Sequence, residues 1–448
     1  MSLFGSSGIR GLANVEVTST LASRLGQALA TIHEGGEVIV GRDARVTGPM
    51  LEAALSAGIV SCGADAGLVG LLPTPVIAWL TRELEADSGV AISASHNPPQ
   101  YNGLKVFNSR GISLTEKEQR PVEELINGSE PDLAPWDGVG SAEEVDAKWM
   151  YLDTLEEGVN LAKDWRVACD LYCGATATIA AEAFETAGIT PTIINGHPDG
   201  HFPAGNPEPS PENMARLGAY LKSIGADVGF AFDGDGDRMM AVEAEGRPVG
   251  GDRLLAAYAG YAVEKAGGGI VVTHVGASMC VEDAVEAVGG KVVRVRVGDT
   301  YITEEMEKRK AVFGGEPIGA WIHPEVHMCP DGLLSALKLL EALEDHGQTL
   351  AQFTSTVPEY PILSAKVEVR DKAGVMKAVF DGYEASFKEV ESVNRVDGLR
   401  LRLPDGWLLI RASGTEPVIR VTAEGRDGKS ARALLEKGLE AVRMVAKP

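Results

Sequence analysis

The sequence predicts an α/β protein built from three similar α/β domains with mixed, mostly parallel sheets, followed by a smaller C-terminal α+β domain. Three observations predict this class. At 448 residues the chain exceeds what one compact core holds, and its length alone favours about three domains. Short apolar runs alternate with longer helical patterns over roughly the first 360 residues, which is typical of parallel sheets covered by helices. Beyond Ser364, short alternating strands dominate instead.

The elements of the first block follow from apolar runs and the turn residues that bound them. A short apolar run between turn residues predicts a buried strand, whereas a longer amphipathic run predicts a helix. In chain order, the predicted elements are a strand followed by a turn within residues 37–43, helices at 49–63 and 75–86, and a strand at 89–92.

The same alternation continues through two further blocks. A helix is predicted at residues 252–266. Before it, strands are predicted at residues 165–168, 227–232 and 239–242. After it, strands are predicted at residues 270–273, 292–297 and 311–313.

The last block has a different pattern. Strands are predicted at residues 365–369 and 407–411, with helices at 372–387 and 430–446. The polar stretch at residues 127–144, which contains several Pro and Gly, is predicted to be the first linker. The predicted domains are therefore residues 1–147, 148–248, 249–361 and 362–448.

Composition narrows the class of partner. The chain carries 64 acidic and 41 basic residues, a formal net charge of −23, and an acidic surface repels nucleic acid. No apolar run approaches the length of a membrane span, and no signal peptide is evident. Five cysteines without a CxxC pair favour reduced thiols. We therefore expect a cytoplasmic protein that binds a small molecule and has no nucleic-acid or membrane partner.

The strongest chemical signal is the Asp-Gly-Asp-Gly-Asp-Arg sequence at residues 233–238, directly after a predicted strand. Three carboxylates at i, i+2 and i+4, separated by glycines, can wrap one hard divalent cation. A calcium EF-hand loop needs Gly at position 6 and Glu at position 12, where this chain has Arg238 and Ala244. Arg238 instead suits a phosphate oxygen. The alternative is a solvated acidic loop.

Ser95 lies in a Ser-His-Asn-Pro sequence after the strand predicted at 89–92, where the edge of an α/β sheet binds ligands. A serine hydroxyl needs a base or a metal to act as a nucleophile. Extended backbone would turn the adjacent His96 away from Ser95, so His96 is expected to bind or orient a ligand. Lys105 is an acid–base candidate if burial or a neighbouring cation lowers its pKa. The alternative is an ordinary turn.

Three further loops carry candidate binding groups. The Arg-Ala-Ser-Gly-Thr-Glu-Pro sequence at residues 411–417, followed by Arg420, is typical of a phosphate clamp, because its amides, hydroxyls and guanidiniums all donate hydrogen bonds. The alternative is a Gly-centred hairpin turn. Glu316 offers a carboxylate to sugar hydroxyls, and the N-terminal loop at residues 4–11 contributes Arg10.

Together these segments resemble the α-D-phosphohexomutase family, in the family's order and over nearly the whole chain. Residues 95–98 resemble its phosphoserine loop and residues 233–238 its magnesium loop. Residues 315–319 resemble its sugar-binding loop and residues 411–417 its phosphate-binding loop. The resemblance implies four domains arranged around one central cleft, each supplying one loop.

The resemblance also implies a reversible phosphoryl transfer. Phosphorylated Ser95 would donate its phosphoryl group to a hexose phosphate, and the bisphosphorylated sugar would reorient and return its other phosphoryl group. Hexose 1,6-bisphosphate is then both intermediate and activator. One Mg²⁺ is implied, bound by Ser95 through its phosphate and by Asp233, Asp235 and Asp237. Members of the family are monomers or homodimers.

Roles for the remaining residues are implied in the same way. Arg10 and Lys105 match family positions near the phosphoryl group, with Lys105 as acid–base group and His96 beside Ser95. Arg238 is expected to bind substrate. The non-reacting phosphate is implied to bind a set of residues in the last domain: Arg411, Ser413, Gly414, Thr415 and Arg420.

The sugar is predicted from finer resemblances. Residues 4–11 are similar to the opening of phosphoglucosamine mutases, which favours interconversion of glucosamine 6-phosphate and glucosamine 1-phosphate. However, Ile318 stands where the sugar loop usually has Ser, and Ala320 where it often has His. Glu316 then has fewer polar partners, and we expect His323 to compensate. Phosphomannomutase or phosphoglucomutase activity is the alternative.

Two other functions remain as hypotheses. One is a phosphatase with Asp233 as nucleophile, as in haloacid-dehalogenase enzymes, although a third aspartate and Arg238 depart from that pattern. The other is a non-catalytic sugar-phosphate-binding protein that keeps the fold. Replacement of Ser95 separates these hypotheses from a mutase.

Overall fold

The computed structural model describes residues 3–5, 8–128, 130–414 and 416–446. Four separate sheets form, and each lies inside one of the four predicted segments. The first three sheets mix parallel and antiparallel pairs, and the fourth is entirely antiparallel. The predicted α/β class is confirmed. Among the described residues, none of the helices combines the length and the apolar character that a membrane crossing requires.

The first domain contains ten elements. They are β1 (Ile9–Leu12), α1 (Ser19–Ile32), β2 (Glu37–Arg42), α2 (Gly48–Ser61), β3 (Asp65–Leu71), α3 (Thr74–Glu83), β4 (Ser88–Ile92), β5 (Tyr101–Asn108), α4 (Glu116–Gly128) and β6 (Ala142–Glu144). The strand order is β1-β5-β4-β2-β3-β6. The prediction of a linker throughout residues 127–144 is wrong at its end, because β6 pairs in parallel with β3 and satisfies the backbone groups of that sheet edge.

The second domain has a smaller sheet. Its elements are α5 (Lys148–Gly158), β7 (Val167–Asp170), α6 (Ala180–Glu185), β8 (Thr192–Ile194), α7 (Ala215–Ile224), β9 (Val228–Phe232) and β10 (Met239–Glu243). The order is β10-β9-β7-β8, with β10 antiparallel to β9. The turn between β9 and β10 therefore lies at the carboxyl edge of the parallel strands.

The third domain repeats this plan. Its elements are α8 (Gly251–Lys265), β11 (Ile270–His274), α9 (Cys280–Ala287), β12 (Lys291–Val295), α10 (Asp299–Arg309), β13 (Phe313–Gly315), β14 (Trp321–Ile322), α11 (Gly332–Asp345) and α12 (Leu350–Ser355). The order is β12-β11-β13-β14. The strand predicted at 311–313 begins only at Phe313, because the amide of Ala311 still donates to the carbonyl of Met306 in α10.

The fourth domain is an antiparallel sheet with two helices. Its elements are β15 (Ile362–Glu368), α13 (Lys372–Ser386), β16 (Ser392–Asn394), β17 (Leu399–Leu403), β18 (Gly406–Ala412), β19 (Val418–Gly425) and α14 (Gly428–Val445). The order is β15-β19-β18-β17-β16. The α+β character predicted for the last block is confirmed.

The apolar cores divide the molecule into two parts. One continuous core joins the first three domains, from Trp79 through Phe230 to Leu337. The fourth domain has its own core and meets the third through a small cluster, in which Met279 packs with Trp407. Since few apolar side chains cross this boundary, we expect the fourth domain to move relative to the other three.

Candidate active site

Ser95 lies in the loop between β4 and β5, at the carboxyl edge of the first sheet. Its φ angle of 52° places it in the left-handed region, which non-glycine residues adopt rarely. Its side chain is buried, and its Oγ donates to Asp233 Oδ2 at 2.6 Å. Backbone strain of this kind concentrates at functional sites. A buried serine in such a turn, facing a carboxylate of another domain, therefore indicates a functional site rather than an ordinary turn.

Arg45 holds this loop in place, a role that the sequence analysis did not identify. Its Nη2 donates to the carbonyls of Ser95 and Asn97 at 2.8 and 2.7 Å. Its Nη1 donates to the carbonyls of Pro98 and Tyr101 at 2.8 and 2.9 Å. Its Nε donates to a buried carboxylate oxygen, Asp43 Oδ2, at 2.9 Å. The one available signal was the Arg-Asp-Ala-Arg sequence at residues 42–45, which begins in the turn predicted at the end of residues 37–43.

The left-handed turn also changes the position of His96. The prediction that extended backbone turns His96 away is wrong: its Nδ1 lies 3.2 Å from Ser95 Oγ. Burial, followed by the positive charges of Arg238 and Arg10, lowers the pKa of His96 to about 3. The ring is therefore neutral at physiological pH.

The aspartate loop connects β9 to β10 and packs directly against the Ser95 loop. A Cβ added to Gly234 would lie 2.6 Å from the Ser95 carbonyl, so only glycine allows this approach. One ligand oxygen from each of Asp233, Asp235 and Asp237 lies within 4.8 Å of the others. Among the described residues, Asp235 Oδ1 and Asp237 Oδ1 are buried without a hydrogen-bond partner. Orphaned carboxylate oxygens that converge in this way fit a hard divalent cation.

The three carboxylates differ in their electrostatics. Burial, followed by the charges of Asp237 and Asp235, raises the pKa of Asp233. Burial also acts to raise the pKa of Asp235, but Lys105 and Thr74 overcome it and lower that pKa. Thr74, at the start of α3, donates to Asp235 Oδ2 at 2.6 Å. This contact between the first two domains was missed by the sequence analysis.

The protonation state of Lys105 differs from the neutral amine that a base requires. It lies in β5, opposite Ala91 of β4, and its Nζ donates to Asp235 Oδ2 and Asp237 Oδ2 at 2.7 and 2.6 Å. Burial opposes the charged form, but the two carboxylates outweigh it and raise the pKa of Lys105. The lowered pKa that was the condition for Lys105 to act as a base is not found in this arrangement, and the side chain is an ammonium.

Two arginines complete the positive charge around the aspartates. Arg10 of β1 donates from Nη1 to Asn97 Oδ1 at 2.9 Å, and burial lowers its pKa. Burial opposes the charge on Arg238 as well, but Asp233 and Asp237 raise its pKa overall. Arg10 and Arg238 thus bring two guanidinium groups close to the carboxylates of the aspartate loop, and guanidinium groups suit the oxygens of a phosphoryl group.

The Glu316 loop reaches the same region from the third domain. The carbonyl of Gly319 accepts from the amide of Met239, the first residue after the aspartate loop's Arg238. Glu316 is buried, and its Oε1 accepts from the amide of Gly298 at 3.1 Å. Burial raises the pKa of Glu316, although Arg238 opposes this shift.

His323 does not accompany Glu316, and the expectation that it compensates for Ile318 and Ala320 is not met. It is buried in the third domain, with Nε2 3.0 Å from Ser335 Oγ and Nδ1 3.5 Å from the Tyr258 hydroxyl. The histidine that faces Glu316 is His274, whose Nε2 lies 3.9 Å from Glu316 Oε1. The sequence analysis missed it because the strand predicted at 270–273 stopped one residue short.

The predicted phosphate clamp is the hairpin between β18 and β19. Arg411 and Arg420 are cross-strand partners at its base, which places their side chains on the same face of the sheet. Arg411 Nη1 donates to Asp397 Oδ2 at 2.8 Å, and Arg420 Nη2 to Glu416 Oε2 at 2.5 Å. These carboxylates would have to give way to an incoming phosphate.

The tip of this hairpin carries Ser413 and Gly414. Ser413 Oγ accepts from the amide of Glu416 at 3.2 Å. The predicted ligand Thr415 lies outside the described residues. A cavity of about 640 Å³ opens beside the hairpin and is lined by Arg411, Gly414 and Arg296, among others. The hairpin therefore faces a space large enough for a sugar phosphate.

Comparisons with known proteins agree with this arrangement. Four phosphoglucomutase/phosphomannomutase family profiles match the chain in order. They are the alpha/beta/alpha domains I at residues 1–132, II at residues 150–246 and III at residues 250–360, and the C-terminal domain at residues 365–441.

Individual proteins extend the match. The phosphoglucosamine mutase of Methanocaldococcus jannaschii is 38% identical over 448 residues, covering 98% of this chain and 98% of that protein. The crystal structure of a phosphoglucomutase/phosphomannomutase family protein from Burkholderia thailandensis has a TM-score of 0.89 at 27% identity, covering 99% of this chain and 97% of that one. The N-acetylphosphoglucosamine mutase of Aspergillus fumigatus shares the fold, with a TM-score of 0.63 at 15% identity and coverage of 99% and 96%. The chain thus belongs to the phosphoglucomutase/phosphomannomutase family and is a phosphohexomutase.

Proposed function

We propose that this phosphohexomutase interconverts glucosamine 6-phosphate and glucosamine 1-phosphate through a phosphorylated Ser95. The observation that carries the mechanism is the 2.6 Å contact between Ser95 Oγ and Asp233, within a cluster of three carboxylates and three cations. The sugar is supported by relatives such as the Methanocaldococcus jannaschii protein, which bears the name phosphoglucosamine mutase. Mannose and glucose phosphates are the alternative substrates.

Asp233, Asp235 and Asp237 would hold one Mg²⁺ together with a phosphate oxygen on Ser95. When bound, Mg²⁺ neutralises the negative charge that develops during phosphoryl transfer. The buried, unpartnered oxygens of Asp235 and Asp237 support this assignment. The A. fumigatus structure was determined with magnesium and GlcNAc-6P.

In the first half-reaction a sugar hydroxyl attacks the phosphorus on Ser95. The new oxygen–phosphorus bond forms as the bond to Ser95 Oγ breaks, and a proton passes overall from the sugar hydroxyl to Ser95 Oγ. Lys105, an ammonium in this structure, would give a proton to Ser95 Oγ and recover one from the hydroxyl. Arg10 and Arg238 stabilise the transferring oxygens by charge-assisted hydrogen bonds.

In the second half-reaction the hexose 1,6-bisphosphate presents its other phosphate to Ser95. The pairing of Arg411 with Arg420 across the hairpin supports a role for that loop in holding whichever phosphate is not reacting. Ser413, Gly414 and Thr415 would add hydroxyl and amide donors. The expected movement of the fourth domain would open space in which the hexose 1,6-bisphosphate can reorient.

The remaining parts of the proposal concern the protein as a whole. We propose a cytoplasmic monomer or homodimer with domain boundaries at residues 1–147, 148–248, 249–361 and 362–448. All five cysteines are unpaired and four are buried, which fits a reducing compartment.

A three-substrate assay tests the proposed sugar. With Mg²⁺ and hexose 1,6-bisphosphate present, we expect kcat/KM for glucosamine 6-phosphate to exceed those for glucose and mannose 6-phosphates at least about tenfold, since a site built for one polar substituent rejects its replacement. A coupled assay that detects the 1-phosphate products measures the three kcat/KM values. A preference for glucose or mannose phosphate would replace the proposed sugar, and inactivity on all three would overturn the mechanism.

Asp235→Asn is expected to weaken Mg²⁺ binding by about tenfold or more, because it removes one of three carboxylate charges from the site. Calorimetric titration with Mg²⁺ measures this without turnover. Asp199→Asn is the matched control, since Asp199 lies in an exposed loop and contacts His201. Equal Mg²⁺ affinity in both variants would contradict the assignment of the metal site.

A further inference from the structure

The Glu316 loop offers the sugar few polar side chains of its own. Ile318 is 41% exposed and Ala320 is buried, and neither can form a side-chain hydrogen bond with a hydroxyl. Glu316 Oε1 also accepts from the Gly298 amide. A second polar group is therefore needed if the loop is to distinguish one hexose from another.

His274 is brought to this loop by the sheet of the third domain. Strands β11 and β13 are parallel neighbours, with Val272 paired to Gly314. Thr273 Oγ1 continues this register by donating to the Gly315 carbonyl at 2.8 Å. His274, the last residue of β11, and Glu316, the residue directly after β13, then lie next to each other at the carboxyl edge of the sheet, where α/β sheets bind ligands.

The hydrogen bonding of His274 determines its tautomer. The amide of Gly276 donates to Nδ1 at 3.0 Å, so Nδ1 is an acceptor and Nε2 carries the hydrogen. Burial, followed by the positive charge of Arg294, lowers the pKa of His274 to about 4. At neutral pH the ring is therefore uncharged, with a single N–H donor directed to the side of Glu316.

The distance between His274 Nε2 and Glu316 Oε1 leaves both atoms able to bind the same third atom. Their distance of 3.9 Å is too long for a direct hydrogen bond. An oxygen placed about 2.8 Å from each atom would bond to both. A hydroxyl accepts from Nε2–H and donates to the carboxylate, whereas an ammonium can only donate and would leave Nε2–H without an acceptor.

We propose that His274 and Glu316 together bind one hydroxyl of the hexose ring, which makes His274 a specificity-determining residue of this enzyme. The inference rests on the proposed function to the extent that Glu316 contacts the sugar. The proposal gives His274 the role of polar partner to Glu316 that was expected of His323. It also assigns the pair to a ring hydroxyl rather than to the amino group of glucosamine.

Binding to a Ser95→Ala background tests the pair without turnover. The ligands are glucose 6-phosphate, glucosamine 6-phosphate and a series of monodeoxy glucose 6-phosphates, titrated by calorimetry with Mg²⁺ present. For one ring position, loss of the hydroxyl is expected to weaken binding about tenfold or more, since it leaves the His274 donor and the Glu316 acceptor unpaired.

Two substitutions of His274 separate sugar binding from support of the loop. His274→Asn retains an acceptor for the Gly276 amide but lacks a donor at the Nε2 position, so we expect it to lose discrimination at that ring position. His274→Gln places an N–H near the Nε2 position, and we expect it to keep most of the discrimination. If His274→Asn discriminates as well as the parent, or if both variants lose binding of all ligands equally, the inference is overturned.

These outcomes are distinct from failure of the proposed function. If glucose 6-phosphate binds better than glucosamine 6-phosphate, the proposed sugar is wrong, yet coupling between His274 and one hydroxyl still supports the inference. If no hexose phosphate binds to the Ser95→Ala protein, the proposed site itself is overturned together with the inference. Thermal unfolding of each variant confirms that it is folded.

Discussion

Ser95→Ala is expected to lower turnover of every hexose phosphate by about a thousandfold or more, because in the proposed mechanism Ser95 Oγ carries the phosphoryl group between half-reactions. The variant should also remain unmodified after incubation with hexose 1,6-bisphosphate, whereas the parent gains the mass of one phosphoryl group. Steady-state kinetics and intact-mass measurement record the two results. Both measurements report on Ser95 Oγ, the hydroxyl that donates a hydrogen bond to Asp233.

Ser61→Ala is the matched control, since it causes the same change in mass at the end of α2. Ser61 Oγ donates to the Gly58 carbonyl at 2.8 Å, well away in sequence from the aspartate loop. This variant should keep both turnover and the added phosphoryl group. Turnover of Ser95→Ala within about tenfold of the parent would instead favour Asp233 as a phosphatase nucleophile. Absence of a phosphoryl group on the parent would favour a non-catalytic sugar-phosphate-binding protein.

Arg45→Met is expected to lower the free energy of unfolding by about 3–5 kcal/mol, because it leaves the buried Asp43 carboxylate without its partner. Four carbonyls in and directly after the Ser95 loop each lose the bond that Arg45 donates at the same time. We also expect kcat to fall, since the left-handed turn at Ser95 then lacks the contacts that hold it. Denaturant unfolding followed by tryptophan fluorescence measures the stability change.

Arg42→Met provides the control for Arg45. Arg42 contacts Glu52 at 3.1 Å with both side chains partly exposed, and pairs of this kind contribute about 1 kcal/mol or less. It should therefore unfold close to the parent and keep its activity. Equal stability of the two variants would contradict the role assigned to Arg45. An Arg45→Met protein of normal kcat would contradict its support of Ser95.

Local patterns were sufficient to predict the sheets and the loops that lie between them. The strand at 227–232 and the aspartates after it form one continuous segment, so their order along the chain predicts their place at a sheet edge. The same holds for the hairpin that carries Arg411 and Arg420. In each case the residues that define the feature are close in sequence, and short-range backbone geometry relates them.

Predictions about pairs of distant residues were less successful. Lys105 was a candidate base on the condition that its pKa is lowered, but Asp235 and Asp237 bond to it across 130 and 132 residues of chain and raise that pKa. His323 was the expected partner for Glu316, but the register of β11 and β13 places His274 beside it instead. The contacts between distant side chains depend on which strands pair with each other. The spacing of residues along the sequence does not predict that pairing.

Apolar periodicity and short motifs were enough to predict the α/β class and to locate the four loops, because both act over a few residues. The three-dimensional packing was needed to show that Ser95 adopts a left-handed turn held by Arg45, that His96 lies beside Ser95 Oγ, and that His274 faces Glu316. These contacts depend on hydrogen bonds and charges, which act through distance in space rather than along the chain. The packing of four domains brings together groups that the chain separates by more than a hundred residues, as between Ser95 and Asp233.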